Sequence, residues 1–382
     1  MSDAKRILLV EGSGRGFLCH YAHALALGLR DLGHDVMLAS GRRDELAHWP
    51  APFTKEACLA DGPAGWLCLA EKVRAFKPDV VHFQWIGQPL LAAGFLAWLR
   101  GRGIGAVYTP HNLLPHRRRW LSTPGFRLVY QSIDRVVARD PHLAWGLEEM
   151  LGVGSDRIVH LPGSPNLLAH PEVKGDRAPE IPPRQDGECR LLYFGHGSGR
   201  KGLGDLVRAL LADRWPKDLH LVVAGEGVLA GAAPPLLASL RGRVRLTVVD
   251  RYVQSGEVAD LFASADLMVM PYAKQCKSPL TDLAAAFRLP VLRTDRVEAA
   301  HFVEGIHGVT VAHGDPAALV SGLRQALDID TLSRWRAALA REESVEAGIR
   351  RLAEGHHRLY DGLTRNRRTA PAPEAELKAN HA

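Results

Sequence analysis

One loop of this chain has residue types suited to phosphate chemistry: Leu191-Leu-Tyr-Phe-Gly-His-Gly-Ser-Gly-Arg-Lys-Gly-Leu-Gly-Asp-Leu206. An apolar run, read as a strand, enters a glycine-rich basic loop that opens a helix. Glycine lets backbone approach a ligand closely, and a helix N-terminus offers free N–H donors. Arg200 and Lys201 add positive charge. Gly195, Arg200 and Lys201 are therefore candidates for holding a phosphate or diphosphate, against the alternative of a solvated turn. A second junction of this kind, Ile7-Leu-Leu-Val-Glu-Gly-Ser-Gly-Arg-Gly16, makes Gly14 a further candidate. Its three glycines lack the spacing of the dinucleotide fingerprint, and no acid follows in the ribose-reading context, which disfavours a nicotinamide enzyme.

The elements that must position these loops follow from the hydrophobic pattern. Strand and helix signals alternate along all 382 residues, which predicts an α/β protein with doubly wound parallel sheets. In the first half, strands are read at residues 7–10, 36–39, 80–83, 106–109, 135–138 and 157–161. Helices fall between them, notably within 64–76 and 89–102. In the second half, strands are read at 191–194, 219–224, 245–249, 267–270 and 291–293, with helices at 203–211, 257–264, 279–287 and 316–327. Residues 163–188 gather Pro, Gly and charge, as a linker would. The expected organisation is an N-terminal domain over 1–165, a linker over 166–188 and a C-terminal domain over 189–345. A helix over 346–364 packing back on the first domain and a disordered tail over 365–382 complete it. Ligands of such sheets bind outside the carboxyl ends of the strands, so a cleft between the domains is the expected site.

Composition narrows the function classes. An apolar fraction of 46% and a charged fraction of 24% describe a soluble globular protein. No stretch approaches the roughly 20 apolar residues of a membrane span, and the N-terminus runs directly into a strand without a leader pattern. Five scattered cysteines, Cys19, Cys58, Cys68, Cys189 and Cys276, show no metal-ligand spacing, so a cytoplasmic setting and no zinc are expected. The net charge of +6 suits an anionic partner, and no nucleic-acid module is recognisable. The run His116-Arg-Arg-Arg-Trp120 is either a solvated loop or a peripheral contact with an anionic membrane, since it combines cations with an amphipathic ring.

In this order and at these separations, a set of motifs resembles the two-domain GT-B nucleotide-sugar glycosyltransferases, close to the family-four type of bacterial polysaccharide biosynthesis. They are the opening strand and loop with Gly33-His-Asp-Val36, Lys77-Pro-Asp-Val-Val-His82, Thr109-Pro-His-Asn112, Gly195–Gly202 and Val222-Val-Ala-Gly-Glu-Gly227. Val258-Ala-Asp-Leu-Phe-Ala-Ser-Ala-Asp266 and Val269-Met-Pro-Tyr272 complete the set. The resemblance covers nearly the whole chain. It implies two Rossmann-like domains, nucleotide-sugar binding in the second and acceptor binding in the first. The family's phosphate-binding lysine falls on Lys201; its arginine position is occupied by His196, a departure for which Arg200 would supply the charge, and Glu226 joins the donor site. A lysine and an arginine that neutralise a diphosphate leaving group make a metal unnecessary, so no cofactor is expected.

The donor-sugar end departs from the family. Retaining members carry two glutamates eight positions apart before a Gly-x-Pro-Val strand, and these positions hold Gln275 and Leu283 here. Ser278-Pro279 reads as a helix start, with a hydroxyl N-cap followed by proline at the first helical position. The N–H groups of Leu280 and Thr281 would then seat a phosphate, and Asp282 either replaces the missing ribose acid or favours the first turn. Lys274 and Lys277 either neutralise phosphate, read an acidic sugar, or are solvated. His111, in Thr-Pro-His-Asn, is expected to face the donor sugar or its phosphate. If the reaction inverts the anomeric carbon, a general base is needed, and Asp140 and Glu11 are the candidates.

The expected function is metal-independent transfer of a sugar from a UDP- or GDP-sugar to a hydroxyl of a lipid-linked or oligosaccharide acceptor. A glycolipid acceptor would place the enzyme peripherally on the inner face of the plasma membrane. Two alternatives share the fold: a catalytically inactive nucleotide-sugar-binding partner, and a nucleotide-sugar 2-epimerase.

Overall fold

Short aliphatic runs without polar alternation form strands buried on both faces, as in Ile7–Val10 and Val80–Phe83. The computed structural model describes residues 4–60, 62–114, 119–161, 166–170, 175–232, 234–299 and 302–369. The chain divides into two units, Met1–Pro165 with Glu346–Ala382, and Asn166–Val345.

The first unit contains β1 (Arg6–Glu11), α1 (Gly16–Asp31), β2 (Asp35–Gly41), β3 (Thr54–Leu59), α2 (Pro63–Phe76) and β4 (Val80–Phe83). It continues with α3 (Pro89–Arg100), β5 (Gly105–Tyr108), α4 (Arg119–Ser132), β6 (Arg135–Ala138), α5 (Pro141–Leu151) and β7 (Ile158–His160). The seven strands form one parallel sheet in the order β3-β2-β1-β4-β5-β6-β7.

The second unit begins with β8 (Cys189–Phe194), α6 (Leu203–Ala212), β9 (Leu219–Ala224), α7 (Val228–Ala232), α8 (Pro234–Ala238) and β10 (Arg245–Val249). There follow α9 (Ser255–Ser264), β11 (Leu267–Met270), β12 (Cys276–Lys277), α10 (Leu280–Ala286) and β13 (Val291–Thr294). It ends with β14 (Val297–Glu298), β15 (Gly308–Val311), α11 (Pro316–Ala326) and α12 (Ile329–Leu339). Its main sheet, parallel throughout, has the order β10-β9-β8-β11-β13-β15, and β12 pairs with β14 beside it.

The last helix, α13 (Val345–Thr369), belongs to the first unit. Leu352, Ala353, Leu359, Tyr360 and Leu363 pack with Ile7, Leu9, Tyr21, Leu25, Leu29 and Val107. Gly28 and Gly105 make room for it: a Cβ on Gly28 would lie 2.7 Å from that of Ala353, and one on Gly105 would collide with Leu363. Polar ties reinforce the contact, with His34 Nε2 2.8 Å from His357 Nδ1, His82 Nδ1 2.6 Å from Tyr360 Oη, and Lys5 paired with Asp361.

Several expectations change. Residues 166–188 are not a free linker, because Leu168, Ala178 and Ile181 are buried in the second unit's core. Glu188, 4% exposed, accepts from Arg190 at 2.8 Å, His220 at 2.7 Å, Arg245 at 3.1 Å and the Gln185 N–H at 3.0 Å. Burial pushes its carboxyl up, but these donors outweigh it and hold the pKa at about 2. β3 and β15 were not read from the sequence; β3 is an edge strand of polar composition without alternation. The helix expected over 346–364 is α13, which begins at Val345 and runs to Thr369, past the expected tail boundary. The tail from residue 370 and residues 115–118 of the basic run lie outside the described residues, and Arg119 and Trp120 open α4.

Replacing Glu188 by Gln removes the charge but leaves the buried Arg190 and the partly exposed Arg245 without it, and is expected to cost about 3 kcal/mol. Chemical denaturation read by a probe in the second unit checks this. The first unit should be acid-sensitive for a different reason. Burial holds His356 at about 4, so the unfolded chain takes up its proton from about pH 6.5 downward while the folded protein does not. Stability contributed by this residue is therefore complete above pH 6.5 and falls between pH 6.5 and 4, by up to about 3 kcal/mol. His356→Phe should show a shallower fall in Tm over that window.

Candidate active site

In the second unit, the carboxyl ends of β8 and β9 meet backbone to backbone. Gly195 (φ 125°) and Gly225 (φ 139°) adopt conformations that favour glycine, and a Cβ on Gly225 would strike the Gly195 carbonyl. A Cβ on Gly197 would fall on the Gly227 carbonyl, and the Gly197 N–H donates to the Glu226 carbonyl at 2.7 Å. The loop glycines therefore serve a tight junction that brings the next residues over the sheet edge. Lys201 Nζ lies against Gly195 and 5.7 Å from the centre of the Tyr272 ring. Burial, aided by Arg200, lowers its pKa. Among the described residues no carboxylate pairs with Lys201, whereas Arg208, Arg251 and Arg324 all have acidic partners. A partly buried ammonium without a counter-ion among the described residues favours an anion by its electrostatics. Arg200 and His196 are exposed beside it, as is the Glu226 side chain.

Ser278, Leu280 and Tyr272 adjoin this group. Tyr272 Oη and Ser278 Oγ are 3.4 Å apart, and Leu280 Cδ1 would be 3.7 Å from a Cβ on Gly195. The expected helix start shifts by one residue. Pro279, not Ser278, is the residue flanking α10, and the helix spans only seven residues. The reason is local: the Ser278 N–H pairs with the Glu298 carbonyl, and its hydroxyl accepts from the Leu280 N–H at 3.4 Å. The Leu280 amide is thus already engaged. Thr281 is buried and its hydroxyl donates to the Ser278 carbonyl at 3.2 Å. Asp282 lines a small hollow with His307, Leu339 and Glu342.

At the two positions where an acidic pair was sought, Leu283 is buried in the core, while Gln275 donates to Glu298 Oε1 at 2.7 Å. Pairing of β12 with β14 brings Glu298 there, 23 residues away in sequence. Sequence reading missed Glu298, since two-residue strands leave no periodicity. It also missed Tyr252, 44% exposed just beyond the carboxyl end of β10. Lys274 is part of the same loop, its N–H donating to the Arg200 carbonyl at 3.3 Å; the Lys277 side chain lies outside the described residues.

In the first unit, the two candidate bases have structural employment. Glu11, 1% exposed, accepts from the Ser13 N–H at 2.7 Å and the Gly14 N–H at 2.8 Å, tying down its own loop. Burial raises its pKa against those bonds. Gly14 (φ 65°) packs on the Arg43 carbonyl. Asp140 caps α5, accepting from the Leu143 N–H at 2.9 Å ahead of Pro141. His111 differs. Its ring lies edge-on to Phe17 and Tyr21, with centroids 5.5 and 5.2 Å away, and Nε2 is 3.4 Å from Gln84 Oε1. Nδ1 is buried with no hydrogen-bond partner among the described residues. Burial, reinforced by the Arg139 guanidinium, holds the imidazole well below its ordinary pKa, so it is neutral at pH 7. Such a ring can share a hydrogen bond with a hydroxyl but cannot neutralise a phosphate. Among the described residues no three His, Cys, Asp or Glu side chains gather as a metal site would require.

Lys201→Ala is expected to weaken binding of a nucleoside diphosphate by tenfold or more, the loss of one charge-assisted contact, with Tm changed little. Calorimetric titration with UDP and with GDP reads this directly.

Residues 20–164 match the family model described as Glycosyltransferase Family 4, and residues 188–328 match that described as Glycosyl transferases group 1. No curated protein sequence matches the chain. Among solved structures, a glycosyltransferase from Rickettsia africae superposes with a TM-score of 0.68 at 18% identity, over 95% of this chain and 100% of that one. Anabaena HepE in complex with UDP gives 0.65 at 16%, covering 92% and 100%. Sucrose-phosphate synthase from Thermosynechococcus elongatus gives 0.66 at 17%, covering 94% and 100%. These likenesses establish the shared fold, and the two family models together cover most of the sequence. The chain belongs to the glycosyltransferases of GT-B fold and family-four type.

Proposed function

We propose that this glycosyltransferase takes a sugar from a UDP- or GDP-sugar and passes it to a hydroxyl of a lipid-linked or oligosaccharide acceptor in polysaccharide biosynthesis. The observation that carries the reading is Lys201, an ammonium with no acidic partner among the described residues, set on the glycine junction of β8 and β9. A nucleoside diphosphate is the anion such a junction accommodates, and the lysine stabilises it as leaving group without need of a metal. The Anabaena structures contain UDP or UDP-glucose, which favours a uridine donor. His111, neutral and with a buried lone ring nitrogen, suits a sugar or acceptor hydroxyl. An amphiphilic acceptor would put the enzyme peripherally on the inner face of the membrane, since no helix among the described residues is long and apolar enough to cross one. Basic charge in the run Arg117–Trp120 would favour anionic lipid there.

A second reading has one observation behind it. Leu283 sits in the core where the family's second glutamate would stand, so the donor-sugar end lacks that acid and the chain could serve as a nucleotide-sugar-binding partner without turnover. Thermal shifts against UDP-, GDP-, ADP- and TDP-sugars, with and without EDTA, test the proposal, because a ligand bound only by the folded state raises Tm. A rise with UDP or GDP donors, unchanged by EDTA, is expected. No rise with any donor overturns it, and a rise with neither transfer nor hydrolysis moves the assignment to the binding partner.

A further inference from the structure

His111 stands at one end of a buried chain of hydrogen bonds whose other end is in the C-terminal helix. Tyr360 Oη is 2.6 Å from His82 Nδ1. His82 Nε2 lies 2.8 Å from the Thr109 hydroxyl, which can donate or accept, and 3.3 Å from the Gln84 amide nitrogen, which can only donate. Its ring proton must then reside on Nδ1, donated to Tyr360. With its nitrogen turned to His82, the Gln84 amide presents Oε1 to His111 Nε2 at 3.4 Å, and a carbonyl oxygen can only accept. The His111 proton is therefore on Nε2, and the unpartnered buried Nδ1 carries a lone pair. His356 stacks on His82 with centroids 5.3 Å apart and contributes no proton to the chain, since its Nδ1 faces the Leu352 carbonyl at 2.8 Å.

We propose that Gln84 is a positioning residue that fixes His111 in its Nε2–H tautomer, so that Nδ1 accepts a hydrogen bond from a hydroxyl of the bound sugar or acceptor. The setting is relayed from Tyr360 through His82. The inference rests on His111 being part of the transferase site, and it makes His111 a hydroxyl acceptor, not a phosphate ligand. Every link has two polarities: reversing the chain would turn the Gln84 amide, move the His82 proton to Nε2 and leave His111 with Nδ1–H, a donor. One helix hydroxyl 249 residues from His111 in sequence thus helps decide which way the site's ring is polarised.

The test uses the full chain with 15N-labelled histidine. Long-range proton–nitrogen correlation at pH 7.5 should show His111, assigned by its loss in His111→Ala, as a single Nε2–H form. Gln84→Leu should give averaged His111 tautomers, and Gln84→Glu, which keeps an acceptor oxygen, should restore the single form. Finding His111 as Nδ1–H, finding it protonated, or finding its tautomer unchanged in Gln84→Leu overturns the proposal. Nucleotide release from UDP-glucose and GDP-mannose should fall about tenfold or more in Gln84→Leu, with affinity for UDP unchanged and partial recovery in Gln84→Glu. Full turnover in His111→Ala would instead refute the site reading while leaving the tautomer result standing, so the two failures are separable. Far-UV circular dichroism and Tm of each variant confirm that the ring resonances report on folded protein.

Discussion

A parallel sheet must be covered on both faces, and in the first unit one face is covered by α1 together with a helix from the far end of the chain. The side chains that α13 commits, Leu352, Leu359, Tyr360 and Leu363, are buried, each contributing roughly 1.5–3 kcal/mol of apolar burial. Gly28 and Gly105 exist in their present form because that helix comes so close. The same approach places Tyr360 beside His82, so the packing of the core and the polarity of the His111 environment have a common origin. Without α13, Leu9, Leu25 and Val107 would face water.

The two ends of the second unit's sheet differ in how charge is satisfied. At the amino ends, Glu188 and Asp266 each serve several cations and N–H groups, so Arg184, Arg190, Arg245 and Arg336 all have a carboxylate partner there. At the carboxyl ends, β8 and β9 close on each other through glycines, and Lys201 stands above the junction without an acid among the described residues. Low dielectric raises the cost of an unmatched charge, so such a residue is stable only if a ligand supplies the match or water reaches it. The asymmetry separates a structural polar network from a binding one by counting partners.

Much of the fold was legible because buried parallel strands are unbroken aliphatic runs. Val80–Phe83, Arg135–Ala138 and Leu267–Met270 coincide with their expected limits. The edge strand β3 was not legible, since its sequence, TKEACL, is only half buried and carries no period. The supposed linker misled for a related reason: proline and charge dominate its composition, while the three apolar residues that anchor it are too sparse to form a pattern. In the candidate site, the glycine loop around Lys201 was legible because backbone geometry imposes glycine locally. The contacts of Gln84 and Glu298 were not, because they arise from neighbours brought in by the sheets. Asp140 and Glu11 have suitable chemistry by type, and the structure adds that both also serve local hydrogen bonds, which their sequence spacing does not reveal.

The discontinuous first unit also sets the order in which the polypeptide can mature. A ribosome releases the N-terminal strands long before it has made residues 346–369, so the segment up to Pro165 emerges with one sheet face covered by α1 alone. The second unit, contiguous from Asn166 to Val345, can complete its core as soon as its own sequence is free. Folding along the nascent chain therefore finishes in reverse of the usual N-terminal-first sequence. Throughout that interval the exposed leucines and valines of β1, β4 and β5 are a natural place for a chaperone to hold the chain.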